Sequence, residues 1–293
     1  MKLLEQINPA QLPNTPIRLA FFDLDGTLVN AAGYISGSTR HAIKELQQSD
    51  VFTALASGRP YFGCRTEAEA LQITAPSLFY SGALIITPGT EEVLFESSID
   101  PLELGPLLEA VRRESLYCEL YTRNAYFAEA RSSLADDHFE YLKCYPHLRN
   151  LQEVIEKEHI LKVVLVSDTP EREEKIRSLA SKFPSLHFAY SKGAAHPHIL
   201  FGNITNPKAS RETGFQIITS KLQVNPHQVI AFGDADADIP FLKLAGYGIA
   251  MANASPAVQR EAKFVTKSVE EDGVAFALDM LRTRWEKPGR KSL

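Results

Sequence analysis

A recurrent unit constrains this chain more than any other feature: a short apolar run, a loop carrying glycine or acid, then a stretch with helical spacing. "IRLAFF" (Ile17 to Phe22) runs into "DLDGT", and "STRHAIKELQQ" follows with Ile43 and Leu46 three apart behind a capping Ser38 or Thr39. "VFTALA" (Val51 to Ala56) is interrupted by "SGRP" and gives way to "YFGCRTEAEALQI", which has helical composition. "SLFYSGALII" (Ser77 to Ile86) reads as a further strand pair, and "QVIAFGDADADIPFLKLA" repeats strand, turn and helix. Strands that alternate with helices are joined by crossovers, so the expected fold is α/β, a doubly wound and mostly parallel sheet covered on both faces.

The middle of the chain has a different texture. A hairpin turning at Pro88-Gly89 is followed by a helix near "PLELGPLLEAVRRE", strands at "LYCELYT", "NAYFAEA" and "LKVVLVS", a helix at "EREEKIRSLASKF", and the strand "LHFAY". This pattern predicts an α+β domain inserted at about residues 85–190, between core segments 1–84 and 191–293. At 293 residues the chain is long enough for two domains with a substantial core. His196 and His198, in "AAHPHILFGNI", fall where the insertion returns to the core.

Composition narrows the partners. A formal charge of -5 gives no basic footprint for a nucleic-acid backbone. The opening "MKLLEQINPAQLPNTPIR" contains an acid and three prolines and no continuous apolar stretch, so a signal peptide or membrane anchor is not expected and a cytoplasmic location is. Cys64, Cys118 and Cys144 are odd in number and widely spaced, matching neither a disulfide framework nor a zinc pattern.

Three strand ends carry the chemistry, because ligands of open parallel sheets bind beyond the carboxyl ends of the strands. One strand runs into Asp23 and Asp25, another into Ser57-Gly58-Arg59, and a third into Gly233-Asp234 with Asp236 and Asp238 behind it. If the three ends share a sheet, Asp23, Asp25 and Asp234 crowd about three negative charges together, which calls for a hard cation. An all-oxygen donor set with no nearby Cys or His predicts Mg²⁺. Alternate residues of an extended segment face one side, so Asp23 can attack while Asp25 offers its carbonyl to the metal and its side chain to a proton. An attacked phosphoryl group also needs donors; Ser57 with the Gly58 backbone supplies uncharged ones, and Lys208 in "NITNPKASRETG" is the expected cation. "DADAD" is not a calcium loop, since Ile239 and Ala245 stand where glycine and glutamate are required.

"DLDGTL", "ASGRP", Lys208 and "GDADAD" resemble, in order, the four motifs of the haloacid dehalogenase superfamily. The insertion, with "AMANAS" and "EEDGVAFAL", resembles the Cof-type branch with a type IIB cap. The resemblance implies a Rossmann-like core, an α/β cap and Mg²⁺-dependent hydrolysis of a small phosphorylated metabolite, a sugar phosphate above all, through an aspartyl-phosphate. It makes Asp23 the nucleophile, Asp25 the acid/base, Asp234 a metal ligand and Asp238 a second or water-mediated one. Ser57 stands where threonine is usual; Ser81 and Ala237 stand where asparagine is common, and Asn253 is a candidate phosphate contact that compensates for Ala237. A phosphomutase of the same superfamily and a non-catalytic phospho-ligand binding protein are the alternatives. Oligomeric state is not legible.

Overall fold

A computed structural model describes residues 3–8, 12–192 and 198–285; His196, one of the two histidines singled out above, and the chain's last eight residues lie outside these. The chain opens with β1 (Leu19–Phe22), α1 (Gly37–Gln48), β2 (Phe52–Leu55), α2 (Arg65–Ala70), β3 (Ser77–Phe79), β4 (Leu84–Thr87) and β5 (Glu92–Glu96). There follow α3 (Pro101–Arg113), β6 (Tyr117–Tyr121), β7 (Tyr126–Ala128), α4 (Asp136–Leu142), β8 (His147–Leu148), α5 (Leu151–Lys157), β9 (Lys162–Ser167), α6 (Pro170–Lys182), β10 (His187–Lys192) and β11 (Leu200–Thr205). The chain continues through α7 (Arg211–Lys221), β12 (Val229–Gly233), α8 (Ile239–Leu244), β13 (Tyr247–Ala250), α9 (Pro256–Glu261), β14 (Phe264–Val265) and α10 (Gly273–Met280).

The core sheet has the order β14-β13-β12-β1-β2 and is parallel at every pairing. β1 lies inside the sheet between β12 and β2 and is wholly buried, so its sequence LAFF is a continuous apolar run rather than an alternating one. The period of two still sorts its faces: Ala20 and Phe22 join one apolar cluster, Leu19 and Phe21 the other. α1 is capped by Ser36, whose Oγ accepts from the Thr39 amide at 3.1 Å, two residues before the expected Ser38. It buries Thr39, Ala42, Ile43 and Leu46, the i, i+3, i+4, i+7 spacing of one helix face.

A six-stranded sheet, β10-β11-β9-β6-β7-β8, forms the second layer system. One face carries α3, α5 and α6, whose Leu104, Leu108, Val154 and Leu179 pack on Val163 and Leu165 of β9. The other face, with Tyr121, Val164, Val166 and Phe201, belongs to the apolar cluster shared with the core. β4 and β5 pair with β3, not with this sheet, whereas β11 lies inside it, so a division at residues 85 and 190 separates paired strands at both ends. The two chain crossings meet where Asn206 Nδ2 donates to the Ser98 carbonyl at 2.8 Å.

Between β3 and β4 the backbone turns through Tyr80, Ser81 and Gly82 with φ of 52°, 55° and 108°. This turn fixes two neighbours. Ser81 N–H donates to the Ser57 carbonyl at 3.0 Å, and Gly82 lies so close to the start of α7 that a Cβ on it would sit 2.2 Å from the Ser210 carbonyl oxygen. Gly82→Ala is expected to lose on the order of 1–3 kcal/mol or more in urea unfolding, since that backbone cannot yield to a methyl group. Ser81→Asn is expected to gain up to about 1 kcal/mol, because asparagine tolerates the left-handed region better than serine. Equal effects of the two changes would contradict this account of the turn.

Candidate active site

The carboxyl ends of β1, β2 and β12 are level. The Asp23 amide donates to the Phe232 carbonyl at 3.0 Å and the Ala56 amide to the Phe22 carbonyl at 2.8 Å, so the next residues on each strand open into one crevice. One carboxylate oxygen each of Asp23, Asp234 and Asp238 lies within 4.8 Å of the others. Asp23 and Asp238 are buried, at 5% and 0% exposure.

Each carboxylate is aimed by its own loop. Gly26, at φ 79°, passes so close to Asp234 that a Cβ there would stand 2.3 Å from Oδ2. Thr27 Oγ1 donates to Asp234 Oδ1 at 3.1 Å. Asp238 turns back on its own loop, where its Oδ2 accepts from the amides of Asp234 at 3.0 Å and Ala235 at 2.9 Å. Asn253 braces the rim: its Nδ2 donates to the Gly26 carbonyl at 2.9 Å and reaches Asp234 Oδ2 at 3.4 Å, while its Oδ1 accepts from the Val269 amide.

The cation among these acids is Arg211. Its Nη2 donates to Asp23 Oδ1 at 2.8 Å, its Nη1 donates to the Ala56 carbonyl at 2.8 Å and pairs with Asp238 Oδ1, and the side chain is only 5% exposed. Ser210 caps α7 by accepting from the Thr213 amide, which makes Arg211 the first helical residue and points it back toward the strand ends. Lys208, the cation expected from motif order, is exposed in the turn before the helix, with its amide on Asn206 Oδ1. Among the described residues the ion pairs of Asp23 and Asp238 are with Arg211 and none is with Lys208. The sequence carried a signal for this in the N-cap Ser210, which sets the register of the helix.

Asp25 stands apart from the three-carboxylate cluster. Arg59 grips it with both ends of its guanidinium, Nε donating to Oδ2 at 2.7 Å and Nη2 pairing with Oδ1, and the Asp25 side chain is half-exposed at the mouth of the crevice. The side chain expected to be free is therefore held. Ser57 is buried and its Oγ accepts from the Arg59 amide at 3.1 Å. The Gly58 carbonyl accepts from Lys162 Nζ, which reaches it from β9 at 3.4 Å. Neither Arg59 nor Lys162 was singled out by spacing alone. Cys64 is buried nearby, where desolvation pushes its thiol well above the usual range and leaves it a poor nucleophile.

Without an ion the cluster is an unfavourable assembly of charge. Burial, then repulsion from Asp238, raises the Asp23 carboxyl above the ordinary range, with Arg211 opposing. Burial and the Asp23 charge push Asp234 up to about 7 against the Thr27 hydrogen bond, and burial raises Asp238 against Arg211 and two backbone amides. A carboxyl raised in the fold binds its proton more tightly there than in the unfolded chain. The resulting stability is complete below the ordinary carboxylate pKa and is lost as pH rises toward and through the folded values. In EDTA the melting temperature is expected to fall between about pH 5 and pH 8, and a divalent cation to raise it more at the higher pH. A flat profile, or a cation effect independent of pH, would sink this description of the cluster.

Comparisons with known proteins bear on the family and the fold. Residues 20–278 match the family model of the haloacid dehalogenase-like hydrolases. The Bacillus subtilis 5-amino-6-(5-phospho-D-ribitylamino)uracil phosphatase YitU is 28% identical over 261 residues, covering 88% of this chain and 94% of its own. Two solved structures share the fold: a haloacid dehalogenase-like hydrolase from Bacteroides thetaiotaomicron (TM-score 0.81, 24% identity, 90% of this chain and 99% of that one), and the subclass IIB sugar phosphatase BT4131 (TM-score 0.78, 21% identity, 91% and 99%). The motif order, the parallel core with its inserted sheet and the family match converge on one assignment: this chain belongs to the haloacid dehalogenase-like hydrolases.

Proposed function

We propose that the protein is a cytoplasmic, Mg²⁺-dependent phosphatase that hydrolyses a small phosphorylated metabolite, with a sugar phosphate as the leading class. The observation that carries this reading is the gathering of Asp23, Asp234 and Asp238 around Arg211 at the level ends of three parallel strands. An all-carboxylate donor set suits a hard cation. Asp23 and Asp234 would hold Mg²⁺, with the Asp25 carbonyl, and the ion would supply positive charge against the phosphoryl oxygens. Asp238 is turned toward Arg211 and its own loop, so its part is to orient the cation rather than to bind the ion directly.

The protein's own groups divide the remaining work. A carboxylate oxygen of Asp23 forms a bond to phosphorus as the bond to the leaving oxygen breaks, and Asp25 gives that oxygen its proton. Asp25 then takes a proton from water, whose oxygen attacks phosphorus and restores the free Asp23 carboxylate. Arg211 keeps Asp23 oriented and balances part of the growing charge, while Ser57 and the Gly58 amide offer uncharged donors. Arg59, gripping Asp25 at the mouth, sets the direction from which the leaving group exchanges its proton.

With saturating Mg²⁺, Asp23→Asn is expected to lower p-nitrophenyl phosphate turnover on the order of 10³-fold or more. Arg211→Met is expected to lower it about 10²- to 10³-fold, and Lys208→Met to change it by less than about twofold. Retained activity in Asp23→Asn removes the nucleophile, and a larger loss at Lys208 than at Arg211 reverses the assignment of the cation.

A further inference from the structure

β9 opens with Lys162, which lies opposite Tyr121 of β6 and Thr205 of β11. Val163 and Leu165 face the helices, so Lys162 shares the opposite face with Val164 and Val166, the face that meets the core. Its Nζ reaches the Gly58 carbonyl at 3.4 Å, between Ser57 and the arginine that holds Asp25. An ammonium has three donors; this contact is one long hydrogen bond to a neutral acceptor, and the Tyr121 ring face, 6.0 Å away, takes none of the other two N–H groups at hydrogen-bond distance.

The neighbouring acid is already committed elsewhere. Glu119, fully buried, accepts from Tyr121 Oη at 2.7 Å, meets His138 Nδ1 at 2.7 Å and receives Tyr117 Oη at 3.2 Å. No ion pair joins Glu119 to Lys162 within 4.0 Å among the described residues, whereas His138 does pair with Glu119. Loss of water around Lys162 pushes its pKa down to about 8, with the Glu119 charge opposing. A partly buried cation with spare donors, beside the Ser57 loop and without an ion pair to Glu119, is poorly accounted for as a brace alone.

We propose that Lys162 is a specificity-determining residue whose spare donors take an oxygen acceptor on the leaving group of a phosphomonoester held at Asp23. This rests on the phosphatase reading and extends it to the alcohol side of the substrate. The acceptor is a hydroxyl or a carboxylate close to the ester; a purely hydrocarbon leaving group offers neither. A carboxylate would form the stronger, charge-assisted bond, and a hydroxyl would add less charge to a site already rich in acids.

Three esters separate the cases: phenyl phosphate has no acceptor, glycerol 3-phosphate presents hydroxyls, and 3-phosphoglycerate replaces the terminal hydroxymethyl with a carboxylate. The wild-type enzyme is expected to favour at least one oxygen-bearing ester in kcat/KM over phenyl phosphate. Lys162→Met is expected to reduce that preference about tenfold or more, and Lys162→Arg to keep most of it. The ester that loses its advantage identifies the acceptor. The proposal is overturned by a wild-type preference for phenyl phosphate, by an equal loss on all three esters in the Met variant, or by unchanged ratios. Absence of turnover on all three in the wild type counts against the phosphatase reading instead. Calorimetric binding of the same esters to wild-type and Lys162→Met protein then decides the role of Lys162: a tenfold selective weakening for an oxygen-bearing ester supports it, and equal affinities overturn it.

Discussion

One guanidinium holds the functional end of this molecule together. Arg211 touches the residue after β1, the residue after β2 and the acid behind β12, so it stitches three strand ends that backbone pairing only brings level. Like charges brought out of water repel strongly, and the arginine is what permits Asp23 and Asp238 to share a buried volume. Its planar fork reaches two carboxylates and a carbonyl together, which a lysine's single ammonium group would do with less geometric control. The same contacts that make the site stable therefore make it directional.

Everything around the arginine serves to place it. Ser210 ends the approach to α7, the Tyr80–Gly82 turn leaves no room for a side chain against Ser210, and Ser81 anchors back on the Ser57 carbonyl. One crowded turn thus positions both the loop of Ser57 and the helix that carries the cation. Backbone in the left-handed region is expensive for Tyr80 and Ser81, and strain of this kind persists where the surroundings over-determine the geometry.

Much of this was legible in the sequence because it depends on local order. The alternation of apolar runs and helical stretches specified a parallel sheet, and the residues just past each run, Asp23, Ser57 and Asp234, had to lie at one edge of it. Lys208 shows where such reading stops. Motif order narrows a cation to a loop, but a shift of three residues decides whether it faces solvent or the carboxylates, and here the helix cap made that choice. Asn253 likewise sits beside the site, yet its amide is spent on Gly26 and Asp234. Arg59 on Asp25 and Lys162 on Gly58 depend on contacts across long stretches of chain, which no local pattern records. The limits of the inserted sheet were blurred for a related reason: β4 and β5 look like any other hairpin, and only pairing with β3 assigns them to the core side.

The bond from Asn206 to the Ser98 carbonyl fastens the outgoing and returning connections to each other. The Lys162 contact to the Gly58 carbonyl ties the same two layers at a second, separate place, so a hinge motion about the first bond has to break the second.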